Sequence, residues 1–392
     1  MRQRQPELPI DLYSDAAIAD PYPLYRAIRD RGPAVWLSAH DAWAIGRFSD
    51  VRSALRADAV LVSGHGVAMN ELVNGTASRV TLTTDGDVHR RLRKALMAPM
   101  MPSALPAVEA EIQQLADRLV ADLLERDGFD GVVDFAQYLP LSVVARLVGL
   151  PDAGRQRMLD WAAAMFDVLG VMNDRGQRAL PLVFQLAEYI GALQRGDLRP
   201  DGWAARLYAA ADEGRIEPGD IAGMLIDYVA PSLDTTILAT ARLLHELGRC
   251  PDQWQLLRAE PTLVPRAIHE AIRLASPVRA FSRLAADDYV VEGTGIPAGD
   301  RVLVLYGSAN RDERRYADPD RFDVRRDAKD HLGFGHGVHR CAGSYLAELE
   351  MDALLRAMVA RVGRIEVGDP ALAVNNVLCG YRSFRASFRR DG

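Results

Sequence analysis

The chain has 392 residues, of which 49% are hydrophobic and 26% are charged, the composition of an ordinary globular protein. Its 47 basic and 53 acidic residues give a net charge of −6 with no run of either sign, which argues against nucleic-acid binding. The first fifteen residues lack the apolar core of a signal peptide, and no window approaches the ~18 apolar residues of a membrane span. We therefore expect a cytoplasmic protein that does not bind a membrane.

The cysteines and the absence of linkers limit the architecture further. Cys250, Cys341 and Cys379 are scattered, which fits a reducing compartment and argues against a disulfide framework. No Gly/Ser/Pro-rich linker divides the chain, so we expect a single domain over residues 1–392.

The predicted elements mix short strands with long helices. A β-like run covers residues 34–46, and apolar residues then recur every three or four positions over residues 107–124, 141–150, 158–169, 180–193 and 221–247, which predicts helices. Further strands are predicted at residues 289–296, 301–306 and 377–388. The fold class is therefore α+β and predominantly helical.

A basic helix start precedes these helices. His89 and Arg93 lie four residues apart after an acidic turn, so they share one face of a predicted helix. An exposed basic first turn is the simpler interpretation, but positive charge at a helix N-terminus is unfavourable.

The longest predicted helix, residues 221–247, would measure roughly 40 Å at 1.5 Å per residue. Pro231 lies inside it, removes one backbone donor and crowds the carbonyl of Asp227, which costs about 3 kcal/mol and predicts a kink or bulge. Asp227, Asp234 and Thr235 are spaced by seven and eight residues and therefore share a face.

Glu270 and Arg273 also share a helix face, three residues apart. Taken alone, they are read as a solvated surface pair that contributes a few tenths of a kcal/mol.

Cys341 lies in the segment FGHGVHRCAG, residues 334–343, ahead of a predicted helix. A helix N-terminus and adjacent basic residues stabilise a thiolate, which suits a nucleophile or a metal ligand, whereas a lone cysteine is more often structural. A zinc site lacks partner cysteines, a dinucleotide motif would need glycine in place of Val338, and the CxxCH haem-attachment pattern is absent.

This segment resembles the haem-thiolate signature of the cytochrome P450 family. The matching positions are Phe334, Gly335, Gly337, His339, Cys341 and Gly343. Glu270 and Arg273 match the family's ExxR element, and residues 231–236 align with its oxygen-handling helix, although Pro231 and Ser232 replace the usual small residues. The motifs follow the family's order along nearly the whole chain.

The resemblance implies the cytochrome P450 fold, with haem b between a long central helix and the cysteine-loop helix. Cys341 would be the axial iron ligand, within a loop that includes Phe334 and Gly343. Four further residues would contact the haem propionates: His89, Arg93, Arg283 and His339. Glu270 and Arg273 would form a buried brace whose third member is expected to be Arg321, with Arg325 as the substitute.

The resemblance also implies a monooxygenase that inserts one oxygen atom from O2 into a small organic substrate, by hydroxylation or O-demethylation. Asp234 and Thr235 match the acid and alcohol that deliver protons. Electrons would come from a separate ferredoxin or flavodoxin, because the chain leaves no room for a fused reductase. Arg340 and Lys94 would suit an acidic donor, and we expect a monomer.

The substrate pocket is expected to draw on six residues: Phe166, Asp227, Tyr228, Pro231, Val278 and Phe281. Asp227 or Tyr228 would hydrogen-bond a polar substrate group, unless Asp227 pairs with an arginine or lies in solvent. The segment at residues 306–312 resembles members that oxidise small aromatic compounds, but Ile226 and Asp227 weigh against binding a carboxylate.

Three alternatives stay open. A haem sensor or recruitment module would need no proton relay, and a P450 could instead modify a larger secondary metabolite. A cysteine hydrolase would need an orienting acid and an oxyanion site, which the local sequence does not supply.

Overall fold

The computed structural model describes residues 6–76, 80–151, 154 and 157–391. Helices account for most of the regular structure. Their bounds are α1 (Asp15–Ala19), α2 (Tyr22–Arg31), α3 (Phe48–Ala54), α4 (Glu71–Asn74), α5 (Gly86–Met97), α6 (Pro106–Leu124), α7 (Tyr138–Val148), α8 (Met158–Val168), α9 (Asp174–Ala192), α10 (Trp203–Asp212), α11 (Ile221–Val229), α12 (Asp234–Arg249), α13 (Pro251–Ala259), α14 (Val264–Ala275), α15 (Tyr306–Ala309) and α16 (Ser344–Arg361).

The strands form one larger sheet and three small ones. Their bounds are β1 (Glu7–Leu8), β2 (Val35–Leu37), β3 (Ala42–Ile45), β4 (Leu61–Val62), β5 (Phe129–Asp130), β6 (Ala280–Ala285), β7 (Tyr289–Val291), β8 (Thr294–Ile296), β9 (Arg301–Leu305), β10 (Arg364–Val367), β11 (Ala371–Leu372), β12 (Tyr381–Ser383) and β13 (Arg385–Arg389). The larger sheet has the order β1-β2-β3-β9-β6-β4, and the smaller ones are β10-β13-β5, β11-β12 and β7-β8. The predicted α+β class with excess helix is confirmed.

Hydrophobic periodicity located α6 and α8 to within one residue at each end, but it missed other elements, among them α10, α13 and β10, and two of its misses have a clear cause. Helix α9 begins at Asp174 rather than residue 180, because the Asn173 side chain caps it by accepting from the N–H of Gly176. Strand β6 was not predicted, since buried Ser282 and Arg283 interrupt its apolar pattern. It nevertheless pairs with both β9 and β4, and it carries Arg283 into the interior.

The main hydrophobic core lies between the long helices. On α6, Ile112, Ala116, Leu119 and Leu123 are buried at helical spacing in the same cluster as Met351 and Leu354 of α16. Helices α12 and α14 pack into this cluster as well. These helices therefore give the segment before α16, which contains Cys341, a rigid support.

A buried ion pair connects α14 to the irregular segment that follows α15. The Arg273 guanidinium donates to both carboxylate oxygens of Glu270, at 2.7 and 2.8 Å, and both side chains are fully buried. Its remaining nitrogen donates to the carbonyls of Asn310 and Pro319, each at 2.7 Å. Such a pair is stabilising only when its polar groups are hydrogen-bonded, and here each of the three side-chain nitrogens of Arg273 donates at least one hydrogen bond.

The third member of the brace is Arg326, so the prediction of Arg321 or Arg325 was wrong. The Nε of Arg326 donates to Glu270 Oε1 at 3.0 Å, whereas Arg325 pairs with Glu260 and Arg321 is exposed. A turn in which the N–H of Arg326 bonds to the carbonyl of Asp323 brings Arg326 back toward α14. Motif spacing alone could not determine which arginine this turn directs inward.

Two helical stretches among the described residues, Gly131–Val148 and Pro218–Arg249, are long and apolar enough to span a membrane. Both are 61% buried inside the fold. Buried core helices of a globular protein have the same length and apolar composition, so these two stretches are only weak evidence for a membrane span.

The brace predicts that alanine substitutions at two nearby arginines change the free energy of unfolding by very different amounts. Arg326→Ala should lower the free energy of unfolding by about 2 kcal/mol, because it leaves the buried Glu270 carboxylate without one charged donor. Arg321→Ala should change it by less than about 0.5 kcal/mol, as is usual for an exposed side chain. Urea unfolding of both variants checks this, and equal effects would contradict the assignment of Arg326.

Candidate active site

A cavity of about 320 Å³ lies between the α11–α12 region and the segment around Cys341. Its walls come from the residues before α5, from α8, from β6 and from the start of α16. Every one of the predicted haem contacts lines it: His89, Arg93, Arg283, Phe334, His339, Cys341 and Gly343. A cavity of this size with few polar groups is typical of a ligand or cofactor site.

The Cys341 loop is held open by glycine geometry. Gly335 and Gly337 have φ values of 67° and 70°, a region that favours glycine, and a Cβ on Gly337 would come within 2.3 Å of the Leu55 carbonyl oxygen. The N–H of Cys341 donates to the carbonyl of Phe334 at 2.8 Å. Helix α16 begins three residues after Cys341, so the cysteine precedes the helix rather than occupying its first turn.

Cys341 faces the cavity, although it lies deep in the fold. Its residue surface is accessible, but protein atoms enclose the group, so the accessible part is inside the cavity. Burial raises the pKa of the thiol, while the N–H of Gly343 and the guanidinium groups of Arg340 and Arg93 lower it. The flanking residues therefore act on the thiolate as predicted, but burial outweighs them.

Four nitrogen-bearing side chains surround the cysteine side of the cavity. The ring nitrogens of His89 contact the carbonyls of Thr81 and Val338 at 3.0 and 3.1 Å, and Arg93 donates to the Arg340 carbonyl. Arg283 donates to the Ser282 carbonyl at 2.7 Å. Burial lowers the pKa of His339 and Asp85 raises it, although its Nε2 lies 3.6 Å from Asp85 Oδ1, beyond a hydrogen bond.

The central helix is interrupted at Pro231. Residues 230–233 are non-helical, so the predicted helix 221–247 is divided into α11 and α12, a larger break than the predicted kink. Side chains replace the lost backbone bonds: the Ser232 hydroxyl donates to the Tyr228 carbonyl at 2.5 Å, and the Thr235 hydroxyl donates to the Pro231 carbonyl at 2.9 Å. Pro231, Ser232 and Thr235 all line the cavity.

Asp234 and Thr235 are adjacent in sequence but differ in position. Thr235 belongs to the cavity wall, whereas Asp234 does not line the cavity and is half-buried. Burial raises the pKa of Asp234 to about 7, with a smaller contribution from the charge of Asp160 on α8. Its Oδ2 atom is buried without a hydrogen-bond partner among the residues that the structure describes.

Comparison with known proteins identifies the family. The family model described as Cytochrome P450 matches residues 199–362. The protein named cytochrome P450 CYP199A2 of Rhodopseudomonas palustris is 34% identical, over 96% of this chain and 93% of its own length. The beta-dihydromenaquinone-9 omega-hydroxylase of Mycobacterium tuberculosis is 33% identical, over 93% of this chain and 75% of its own length. The structure of Mycobacterium marinum cytochrome P450 CYP268A2 in complex with pseudoionone matches with a TM-score of 0.86 and 29% identity. The match covers 98% of this chain and 99% of the other. The chain belongs to the cytochrome P450 family.

This P450 is therefore a haem- and O2-dependent monooxygenase, and the family implies a cysteine-ligated haem. The cavity residues fit that group. The described residues contain no cluster of three His, Cys, Asp or Glu side chains able to hold a metal ion. A metal at Cys341 would thus bring its other ligands with it, as iron in a porphyrin does. A Cβ added to Gly343 would meet no atom within 4 Å, which leaves space on that side of the loop.

The six predicted pocket residues all line the cavity of the P450, but they differ in their free polar groups. The Tyr228 hydroxyl donates to the Leu96 carbonyl at 2.9 Å, so it is already engaged by the backbone. Asp227 Oδ2 accepts from the N–H of Thr81 at 2.7 Å, rather than pairing with an arginine among the described residues or lying in bulk solvent. Of the two proposed substrate contacts, Asp227 keeps the greater hydrogen-bonding capacity.

Glu350 is a cavity residue that the sequence interpretation missed. It lies on α16, where Leu346 and Leu354 are one turn away on either side of it, so an acid interrupts the apolar face. Burial raises its pKa to about 8, and Oε1 has no hydrogen-bond partner among the described residues. A carboxyl group in an otherwise apolar helix stripe was the signal that could have revealed it.

The raised pKa of Glu350 predicts a pH-dependent stability difference. A carboxyl group whose folded pKa is raised stabilises the fold below its unfolded pKa and loses that contribution as pH rises through the folded value. The wild type should therefore lose stability relative to Glu350→Gln from about pH 4.5 to pH 8, by at most about 1.4 kcal/mol per pH unit. Denaturant unfolding of both proteins from pH 4.5 to 9 measures this difference, and a constant difference would contradict it.

Proposed function

We propose that this P450 binds haem b through the Cys341 thiolate and oxidises a small organic substrate by hydroxylation or O-demethylation. The observation that supports the proposal best is that Cys341, the one cysteine lining the apolar cavity among the described residues, is accompanied there by His89, Arg93, Arg283 and His339. We further propose one haem domain in the cytoplasm.

The four side chains around the cysteine would neutralise the cofactor. A haem carries two carboxylates, and burying them requires charged or hydrogen-bonding partners. His89 and Arg93 on α5, Arg283 on β6 and His339 in the loop would supply those partners. Each now contacts a carbonyl or lies near Asp85, so each has a donor that can be redirected toward a carboxylate.

Haem bound there supplies O2 activation, and thiolate ligation favours cleavage of the O–O bond. The net reaction joins R–H, O2, two electrons and two protons to give R–OH and water, so the protein must deliver both protons. Thr235 presents a hydroxyl to the cavity, oriented by its bond to Pro231. Asp234 precedes it in the chain and has a pKa of about 7, which suits a group that holds and releases a proton.

The electrons would come from a separate ferredoxin or flavodoxin. Arg340 and Lys94 are exposed near the cysteine loop, and the bond from Arg93 to the Arg340 carbonyl connects α5 to that loop. Two exposed cations next to the cofactor site would attract an acidic electron carrier.

The decisive test of the cofactor assignment is a pair of cysteine variants. Cys341→Ser should abolish the red-shifted carbon-monoxide band of reduced, thiolate-ligated haem, whereas Cys250→Ser should retain it, because Cys250 lies at the end of α12, away from the cavity wall. Haem content is measured in parallel. Retention of the thiolate band by Cys341→Ser would refute the ligand, and thiolate-ligated haem without turnover, given ferredoxin and reductase, would favour the sensor module.

The proton-delivery roles predict a selective loss of coupling. Thr235→Val should reduce product formed per electron pair by about tenfold or more, with haem and substrate binding unchanged, whereas Thr235→Ser should retain most of it. The wild-type rate should fall as pH rises through about 7, where Asp234 loses its proton, and Asp234→Asn should be slow without that fall. A Thr235→Val enzyme that is fully coupled would exclude this role.

A further inference from the structure

Asp227 places a carboxylate in the part of the cavity wall formed by α11 and the segment at Thr81–Thr83. The group lies near the C-terminal end of α11, and its Oδ2 atom accepts from the Thr81 N–H at 2.7 Å. The Thr81 hydroxyl also favours the ionised carboxyl, although its geometry falls short of a full hydrogen bond. Asp227 lies deep in the fold yet is partly accessible, so its accessible surface faces the cavity.

The surroundings of Asp227 are apolar. Val80 and Leu82 flank Thr81 in the wall, and Met165, Phe166 and Phe281 also line the cavity. The other charged or titratable side chains that line the cavity among the described residues are His89, Arg93, Arg283, His339, Arg340 and Glu350. Of these, the proposed function assigns four to the haem carboxylates, Arg340 belongs to the cysteine loop, and Glu350 lies on the helix that follows that loop. Asp227 thus has no charged partner among the residues described, although His89 contacts the carbonyl of the same Thr81 at 3.0 Å.

A carboxylate in this position is incompletely satisfied. Two carboxylate oxygens can accept about four hydrogen bonds, and the bond from the Thr81 backbone N–H leaves capacity for more. Burial raises the pKa of Asp227 to about 6, so the group is mostly ionised at neutral pH despite the cost of desolvation. A bound cation would offset that cost, whereas a second carboxylate would increase it.

We propose that Asp227 selects substrates that have a cationic amine head on an apolar body, and that it disfavours substrates with a carboxylate head. This inference rests on the proposed haem monooxygenase function. The head would lie against Asp227 and Thr81, and the apolar body would extend along the phenylalanines toward the Cys341 side. The substrate carbon to be oxidised would then be at the end opposite the charge.

Three ligands with a common body test the charge preference. They are 4-ethylbenzyltrimethylammonium, its neutral tert-butyl isostere 4-ethylneopentylbenzene, and 4-ethylphenylacetate. A quaternary ammonium has no lone pair and cannot ligate iron, so its binding reports the pocket alone. Equilibrium dialysis against the haem-loaded protein at pH 7.5 should give at least tenfold tighter binding of the cation than of the neutral isostere, with the carboxylate weakest.

Two variants assign the preference to a residue. Asp227→Asn keeps an acceptor for the Thr81 N–H but removes the charge, so the cation should bind about tenfold more weakly while the neutral isostere changes by less than about twofold. Glu350→Gln removes the other carboxyl group of the cavity wall and should leave the preference intact. The carbon-monoxide spectrum of each variant verifies that the haem site is folded.

Three results would overturn the inference: tighter binding of 4-ethylphenylacetate than of the cation, a cation preference that survives in Asp227→Asn, or a cation preference that disappears in Glu350→Gln. Each can occur in a protein with a normal thiolate-haem spectrum. Failure of the proposed function is a different observation, namely wild-type protein that binds no haem. Oxidation of the ethyl group of the bound cation provides an independent measure of the predicted orientation.

Discussion

The buried contact between Glu270 and Arg273 is the constraint on which the rest of the site depends. Two charges can be placed in the interior only if all their hydrogen-bonding groups are satisfied. Arg273 therefore requires the carbonyls of Asn310 and Pro319 nearby, and Glu270 requires Arg326 and the Asp323 N–H, at 3.2 Å. These requirements fix an irregular segment that has little regular backbone pairing of its own. The Asn310 side chain then accepts from the Leu332 N–H at 2.7 Å, two residues before the cysteine loop begins. A helix-borne ion pair is in this way connected, by a short series of hydrogen bonds, to the position of Cys341.

Under the proposed function, the charged groups around the cavity serve two different bound groups, so that one set belongs to a cofactor region and the other to a substrate region. Basic or hydrogen-bonding nitrogens surround the sulfur, and they come from elements far apart in sequence: α5, β6 and the cysteine loop. The α11 wall carries a carboxylate instead. In a low-dielectric cavity, groups of opposite charge would interact strongly if they shared one region. Keeping them on different walls lets each act on a different bound group, the anionic cofactor on one side and the head of the substrate on the other.

The sequence predicted the parts of this protein that depend on local patterns. Helices α6 and α8 follow from apolar spacing. The cysteine loop follows from its glycines, which adopt backbone angles that other residues rarely adopt. Features that depend on where a side chain points in the folded protein were harder to predict. Arg326 was missed because a turn, not a motif, directs it to Glu270. Helical spacing put Asp234 and Thr235 on one face, yet they are consecutive residues of α12 that point about 100° apart, and of the two only Thr235 lines the cavity. Glu350 was visible as an acid in an apolar stripe, but only the cavity explains why the stripe tolerates it.

The break at Pro231 shows how an unusual sequence can preserve a familiar arrangement. Proline removes one helical donor and costs about 3 kcal/mol in a regular helix, so a continuous helix is excluded here. The hydroxyls of Ser232 and Thr235 donate to carbonyls four residues back and recover part of that loss. The hydrogen bond from Thr235 to the Pro231 carbonyl also orients the Thr235 hydroxyl at the cavity wall. Because α11 ends two residues after Asp227, the break also fixes where the last turn of that helix presents its carboxylate. The proline thus links the position of the proposed proton-delivering alcohol to the position of the proposed substrate-selecting acid, and a change at Pro231 would alter both.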